Sequence, residues 1–235
     1  MEIIYHGHSC VQLVTGGKSL LFDPFLRGNP LAVAKPEDIR AEYVLLTHAH
    51  DDHIADAEPI ARANGATVVA IVELANYLAA RKKVQTLGFN MGGTVDLGFA
   101  KAKMVQAFHT SGITLEDGQV AYGGLPAGFV VQIEGLTVLH AGDTALFSDM
   151  KMIGDRHPID IAFLPIGDHY TMGPDDALQA AAWFGAKLVI PIHYNTFPPI
   201  RQDGEAFVRR LEAQGQRGRA LTPGERMEIS AAELK

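Results

Sequence analysis

Apolar and polar positions along the chain fall into short segments with two different periods. Ile3-Ile4-Tyr5, Cys10 to Val14 and Ser19 to Phe22 are apolar or alternating, which predicts strands. Gly16-Gly17 stands between the last two as a hairpin signal, and Asp23-Pro24 closes the third. Residues 27–38 carry two prolines and read as a loop. Tyr43 to Leu46 predicts a buried strand, Ala55 to Asn64 a helix stopped by Gly65, Thr67 to Val72 a strand, and Glu73 to Lys83 a helix.

Strand character returns over residues 94–107, then in Val120 to Tyr122, Gly128 to Ile133 and Leu136 to His140, with Glu134-Gly135 as a turn. Thr144 to Ile153 and Pro174 to Phe184 predict helices, the second with proline in its first turn and Gly185 past its end. Ile159 to Leu164 and Lys187 to Ile192 predict buried strands, and Asp203 to Gln214 a last amphipathic helix. Each half opens with hairpins and continues with alternating strands and helices. Two mixed β-sheets packed face to face, with helices outside, accommodate this order. No fixed repeat or long linker divides the chain, so residues 1–235 are expected to form one domain.

The composition narrows the class. Of 235 residues, 47% are hydrophobic and 20% charged, which is ordinary for a globular enzyme or binding protein. The net charge of -7 argues against nucleic acid or an anionic membrane as partner. The lone Cys10 permits no disulfide within the chain and no cysteine-based zinc site. The opening MEIIYHGHSC does not read as a secretory signal, and no apolar run reaches the length of a membrane span, so a cytoplasmic protein is expected. GGLPAG is no phosphate loop, and no G-x-S-x-G elbow points to a serine hydrolase.

The chemistry is concentrated in HAHDDH, residues 48–53, directly after a predicted strand. His48 and His50 are two apart, so in an extended segment both imidazoles reach one cation. Asp52 and His53 follow as the chain turns into a helix and can serve a neighbouring cation. His109, Asp143 and His193 each stand just past a later apolar strand. Strands that share a direction would bring these ends to one rim. The donors are nitrogen and oxygen only, which suits Zn, Mn, Fe, Ni or Co; Zn2+ is expected, with Mn2+, Ni2+ or Fe as alternatives.

The H-x-H-x-D-H run, the later lone histidine, the G-D-T and the late histidine after a strand resemble the metallo-β-lactamase superfamily. HGHSC, FDPF, NMGG, HAGDT, LPIGDHYTMGP and PIHYNTFP resemble, within it, a subfamily of metal-dependent hydrolases related to ascorbate-6-phosphate lactonase. More distantly they resemble the phospholipase D that acts on N-acyl-phosphatidylethanolamine. The resemblance implies an α/β fold, a four-layer αββα sandwich. It implies that His48, His50 and His109 hold one cation, that Asp52, His53 and His193 hold a second, and that Asp143 bridges both. It also implies a homo-oligomer.

Such a centre is expected to hydrolyse a small-molecule ester, lactone or phosphoester. One or two cations would lower the pKa of a bound water from roughly 16 to about 7, and Asp52 would orient the hydroxide. A phosphodiesterase or nuclease, and a non-catalytic metal-binding protein, are the alternatives. His8 in its Gly-His-Ser turn and Asp168 after a strand are further candidates for catalysis; His169, Tyr170, Thr171, Tyr194 and Asn195 are candidates for holding substrate or supporting the ligands. His6 and His140 are expected in structural or surface roles, His157 in a loop, and Cys10 buried and inert.

Overall fold

A computed structural model describes residues 1–234. The first half lays down β1 (Glu2–Gly7), β2 (Cys10–Thr15), β3 (Lys18–Phe22), β4 (Tyr43–Leu45), β5 (Thr67–Ile71) and β6 (Thr86–Phe89). The second half supplies β7 (Thr94–Asp96), β8 (Ala100–Gln106), a separate small hairpin β9 (Gly112–Thr114) and β10 (Val120–Tyr122), then β11 (Ala127–Ile133), β12 (Leu136–His140), β13 (Ile161–Pro165), β14 (Leu188–Ile192) and β15 (Arg217–Gly218). A last strand, β16 (Arg226–Glu228), returns to the first half and pairs with β1.

Two seven-stranded mixed sheets result, ordered β16-β1-β2-β3-β4-β5-β6 and β15-β14-β13-β12-β11-β8-β7. Each is antiparallel over one part and parallel over the other, the parallel part running from β3 to β6 in one and from β12 to β15 in the other. The parallel strands β13 and β14 are buried at every position, as strands covered on both faces must be. Phe22 and Phe129 meet across the sheets with ring centroids 6.2 Å apart. Outside the first sheet lie α1 (Asp51–Ile54), α2 (Ala57–Asn64) and α3 (Val72–Tyr77); outside the second lie α4 (Asp149–Arg156), α5 (Pro174–Phe184) and α6 (Gly204–Ala213). The four-layer αββα sandwich expected from the sequence is the fold observed.

Several boundaries differ from expectation, each for a tertiary reason. The helix expected from Ala55 starts at Ala57, because Asp56 turns away to accept hydrogen bonds from the Leu26 and Arg27 amides at 2.7 and 2.9 Å. The strand expected over 94–107 is a hairpin, broken at Gly98, whose φ is +82°. The helix expected from Thr144 begins at Asp149. Residues 144 and 145 are held instead by Phe108: its amide donates to Thr144 Oγ1 at 3.0 Å and its carbonyl accepts from Ala145 N at 3.0 Å. Short strands β6, β9, β15 and β16 carry too little apolar pattern to announce themselves.

Candidate metal centre

The ends of β3, β4, β8, β12 and β14 meet at one rim, and each delivers a polar group there. β3 gives Asp23, β4 leads through Thr47 to His48 and His50, and the start of α1 carries Asp52 and His53. β8, β12 and β14 lead to His109, Asp143 and His193. Asp143 Oδ2 is the hub. It lies 3.0 Å from His193 Nε2, 3.3 Å from His53 Nε2, 3.7 Å from His109 Nε2 and 3.9 Å from His48 Nε2. His48 Nε2 and His50 Nδ1 are 2.9 Å apart. Asp52 Oδ2 stands 4.0 Å from Nε2 of both His53 and His193.

All seven residues expected as ligands are therefore brought together. Their donor atoms fall into two groups, each within 4.8 Å: His48, His50 and His109, and Asp52, His53 and His193 joined by His8. Asp143 lies between them. Several of these atoms are buried without a hydrogen-bond partner among the described residues: His53 Nε2, both ring nitrogens of His193, and Asp143 Oδ1. His53 Nε2 and His193 Nε2 lie near Asp143 but outside hydrogen-bonding alignment. Buried polar atoms left unpaired are costly, so their convergence points to a ligand that accepts all of them at once. The nitrogen and oxygen donor set fits divalent transition cations.

A shell behind the ligands fixes how they present themselves. Asp23 is fully buried, and its Oδ2 accepts from His53 Nδ1 at 2.8 Å and from Thr47 Oγ1 at 2.6 Å, while Oδ1 accepts from the Thr47 amide at 2.8 Å. With its own proton given to Asp23, Thr47 Oγ1 accepts from His48 Nδ1 at 3.0 Å. Both imidazoles thus carry the proton on Nδ1 and turn the Nε2 lone pair toward the centre. The sequence reading did not assign Asp23. The available signal was its place at the end of a strand beside the histidine-bearing one. Gly142 permits the turn into Asp143: its φ is +65°, and a Cβ there would lie 2.5 Å from Ala127 O.

His8 is buried between the halves. Its Nδ1 is 2.9 Å from Thr196 Oγ1 and its Nε2 3.0 Å from Asp52 Oδ2. Burial first, then His193, push its pKa down to about 4, so the ring is neutral and donates from Nε2 to Asp52. Burial opposes ionisation of Asp52, but the hydrogen bond from His8 and the nearby His53 outweigh it and hold the carboxyl below its usual range. Asp143 behaves alike: burial raises it, while His193 and His53 together bring it well below. Burial keeps His48, His50 and His109 below the ordinary imidazole value. Burial also works against charge on His53, yet Asp143 and Asp23 hold it well above. Ionised carboxylates and neutral imidazoles are the forms a cation binds, so a cation at His53 would displace the proton that Asp143 and Asp23 favour on it.

Asp168 lies elsewhere. It is exposed in a tight loop with φ of +60°, its backbone tied to Met172 and Thr171, and its carboxylate has no partner among the described residues. The adjoining Gly167 packs against His193 O, so the loop stands at the rim without sending Asp168 to the cluster. His169 and Tyr170 are exposed beside it, whereas Asn195 Oδ1 accepts from Gln202 N at 2.9 Å. Tyr194 packs against Gly204, and burial raises its phenol to about 12. His6 and His140 are buried and structural; His140 Nε2 donates to Ser9 O at 2.9 Å across the two halves. Asp143 caps no helix, since α4 starts at Asp149.

Residues 18–194 match the sequence profile of the Beta-lactamase superfamily domain. A UPF0173 metal-dependent hydrolase of Geobacillus thermodenitrificans is 54% identical over 229 residues, spanning 97% of this chain and all of the relative. Another from Shouchella clausii is 52% identical over 230 residues, with the same coverage. The solved structure of a metallo hydrolase from the hyperthermophilic archaeon Ignicoccus hospitalis superposes with a TM-score of 0.87 at 36% identity, covering 97% of this chain and 99% of that one.

Proposed function

The chain belongs to the β-lactamase superfamily and is a metal-dependent hydrolase, and from that premise we propose that it cleaves a small-molecule ester, lactone or phosphoester. The observation that carries this reading is the gathering of seven donor residues, with Asp143 between two groups of three, with four of the histidines within 3.9 Å of its Oδ2, and with His48 and His53 locked by Asp23 and Thr47 to face inward. His48, His50 and His109 would hold one cation; Asp52, His53 and His193 a second; Asp143 would be shared. The donors favour Zn2+, with Mn2+, Ni2+ or Fe as alternatives.

Bound there, the cations would supply Lewis acidity, bringing the pKa of water from roughly 16 to about 7 and polarising a substrate oxygen. The chain's own residues do the rest. Asp52 is anchored through Oδ2 by His8, which leaves Oδ1 without a protein partner among the described residues and able to accept a hydrogen bond from the attacking water. His8 is held by Thr196 and so acts as the positioning group behind Asp52. Asp168, at the rim, would meet the outer part of a substrate. The backbone around His193 is fixed by its amide donating to His8 O at 2.8 Å, which keeps the two halves of the site in register.

A cytoplasmic setting is compatible with the lone, buried Cys10, since the fold depends on no disulfide; no helix among the described residues is long and apolar enough to cross a membrane. The net charge of -7 favours a small molecule over nucleic acid. Exposed Val120 and Tyr122 on the β9–β10 hairpin support a homo-oligomer, which light scattering reads directly. Metal analysis combined with ester, lactone, thioester and bis-phosphodiester panels tests the reaction. Turnover of a panel member, lost on chelation and in Asp52→Asn while the fold is kept, is the expected result. Full turnover by protein shown to be free of metal would refute it.

A further inference from the structure

A groove of about 840 Å³ opens beside His109 and leads away from the cluster. One wall is β8 and its extension: Lys103, Val105 and Ala107 alternate along it toward His109. Lys103 and Val105 share one face of β8, and the chain runs on past its end through Ala107 to His109, so the wall leads from a cation to a candidate metal ligand. The opposite wall is α4, whose Asp149, Met152, Ile153 and Arg156 are spaced to share one helix face. Apart from Gln106 the lining between the ends is apolar, and Phe108, Leu125 and Met152 are exposed at 64%, 55% and 53%. A monomer seldom leaves such large apolar side chains clustered in the open without a ligand to cover them.

The two ends differ in charge. Asp149 is the one acid lining the groove among the described residues, and it begins α4, next to Phe147, whose ring lies 6.4 Å from that of Phe108. Lys103, Arg156 and His157 gather at the far end; Lys103 Nζ donates to Gly92 O at 2.6 Å, and neither Lys103 nor Arg156 has a carboxylate partner among the described residues. Their proximity shows in His157, whose imidazole is lowered first by burial and then by Lys103 and Arg156. The α4 face spans on the order of 10 Å. The strand from Lys103 to Ala107 spans roughly 13 Å.

We propose that this groove binds the substrate's arm: an unbranched acyl or alkyl chain ending in an anionic group. The scissile bond then lies at the His109 end and the anion at Lys103 and Arg156. This rests on the hydrolase reading for where the bond is cut, but not for whether the arm binds.

The test has a catalytic and a binding part. Half-esters of p-nitrophenol with succinic, adipic, suberic and sebacic acid are compared with p-nitrophenyl esters of the matching monoacids and with p-nitrophenyl acetate. The specificity constant is expected to rise with chain length, mainly through KM, and the terminal carboxylate is expected to help by roughly tenfold only in the longer members. Lys103→Ala with Arg156→Ala should remove that advantage, so that each longer half-ester falls to the specificity constant of the matching monoacid ester. Met152→Glu, at an exposed position that does not threaten folding, should abolish the chain-length preference.

Calorimetric titration provides the second readout. Decanoate is expected to bind about tenfold or more tighter than butanoate; the double variant should weaken both acids, and Met152→Glu should remove the difference between them. Decanoate binding that depends on Arg156, without turnover of any ester, supports the groove and removes the ester reading. Ester turnover with no chain-length preference, and decanoate bound no tighter than butanoate, overturns the groove and leaves the hydrolase. Decanoate binding lost on chelation but intact in the double variant also overturns it. So does a wild-type oligomer that Met152→Glu dissociates while the chain-length preference survives, because a second copy would then cover the groove.

Discussion

Replacing Asp23 with asparagine tests the orientation of the ligands without touching one of them. The Asp23 carboxylate accepts three hydrogen bonds in a fully buried setting: from the Thr47 amide, the Thr47 hydroxyl and His53 Nδ1. An asparagine can keep the amide bond through its oxygen, but its NH2 then points at two donors. The imidazole of His53 relieves the conflict by moving its proton to Nε2, the atom that faces Asp143 at 3.3 Å. The lone pair meant for a cation is then gone. Supporting carboxylates of this kind are worth about 10- to 100-fold in metal affinity or activity. Two hydrogen bonds to a charged acceptor, at about 1.5 kcal/mol or more each, put the stability loss near 3 kcal/mol. For a chain of this length that lowers Tm by roughly 6 to 12 °C. Competition with a chromophoric chelator should resolve the two cations. The one held by His53 is expected to weaken by the stated factor and the one held by His48, His50 and His109 to change far less. Wild-type affinity at both positions in a folded Asp23→Asn protein would refute the tautomer argument.

Three further outcomes follow from the same geometry. His8→Ala should lower kcat/KM by roughly 10- to 100-fold, as loss of a positioning group does, while metal content stays at the wild-type level; loss of metal would make His8 a ligand instead. Gly142→Ala places a Cβ 2.5 Å from Ala127 O at a φ of +65°, so a destabilisation of about 1–3 kcal/mol in urea titration is expected, with displaced Asp143 and reduced metal content; an unchanged midpoint would contradict the close packing. Removing the cations should lower the melting temperature, because ligand at about 1,000 times its Kd contributes roughly 4 kcal/mol; a chelator that leaves the melt in place would show that nothing in the purified protein occupies the cluster.

The cluster of candidate ligands was legible in the sequence because metal chemistry restricts residue types and strand ends restrict their places. His48, His50, His109, Asp143 and His193 each follow an apolar run, and those runs are the strands that meet at the rim. Period-two patterns and glycine turns likewise announced β2 and β3, with Gly16 and Gly17 both at positive φ between them. What escaped detection depends on partners distant in sequence. Nothing near Asp23 says that Thr47 and His53 will donate to it. Nothing within 144–153 says that Phe108 will hold Thr144 and Ala145 out of the helix. The groove escaped for the same reason, since its two walls come from β8 and α4, more than forty residues apart. Local pattern reads propensity, and these features are decided by tertiary hydrogen bonds that override it.

The cluster also occupies the seam between the two halves. His193 N donates to His8 O at 2.8 Å, His140 Nε2 to Ser9 O at 2.9 Å, and Ala127 N to Thr47 O at 2.9 Å, so the rim is stitched at three places within a few residues of the ligands. Each proposed cation would draw donors from both halves: His48 and His50 with His109, and Asp52 and His53 with His193. A cation pair there would do two things at once. It would satisfy buried atoms that the protein leaves unpaired, and it would tie the first sheet to the second at the edge where their strands end. Metal binding and folding are then coupled through the same atoms. The cost of gathering so many ionisable groups in a buried site is offset only when the cations are present. For that reason the residues behind the ligands, Asp23 and His8, matter as much to the site as the ligands do: they set the protonation and aim of groups that would otherwise pair with one another.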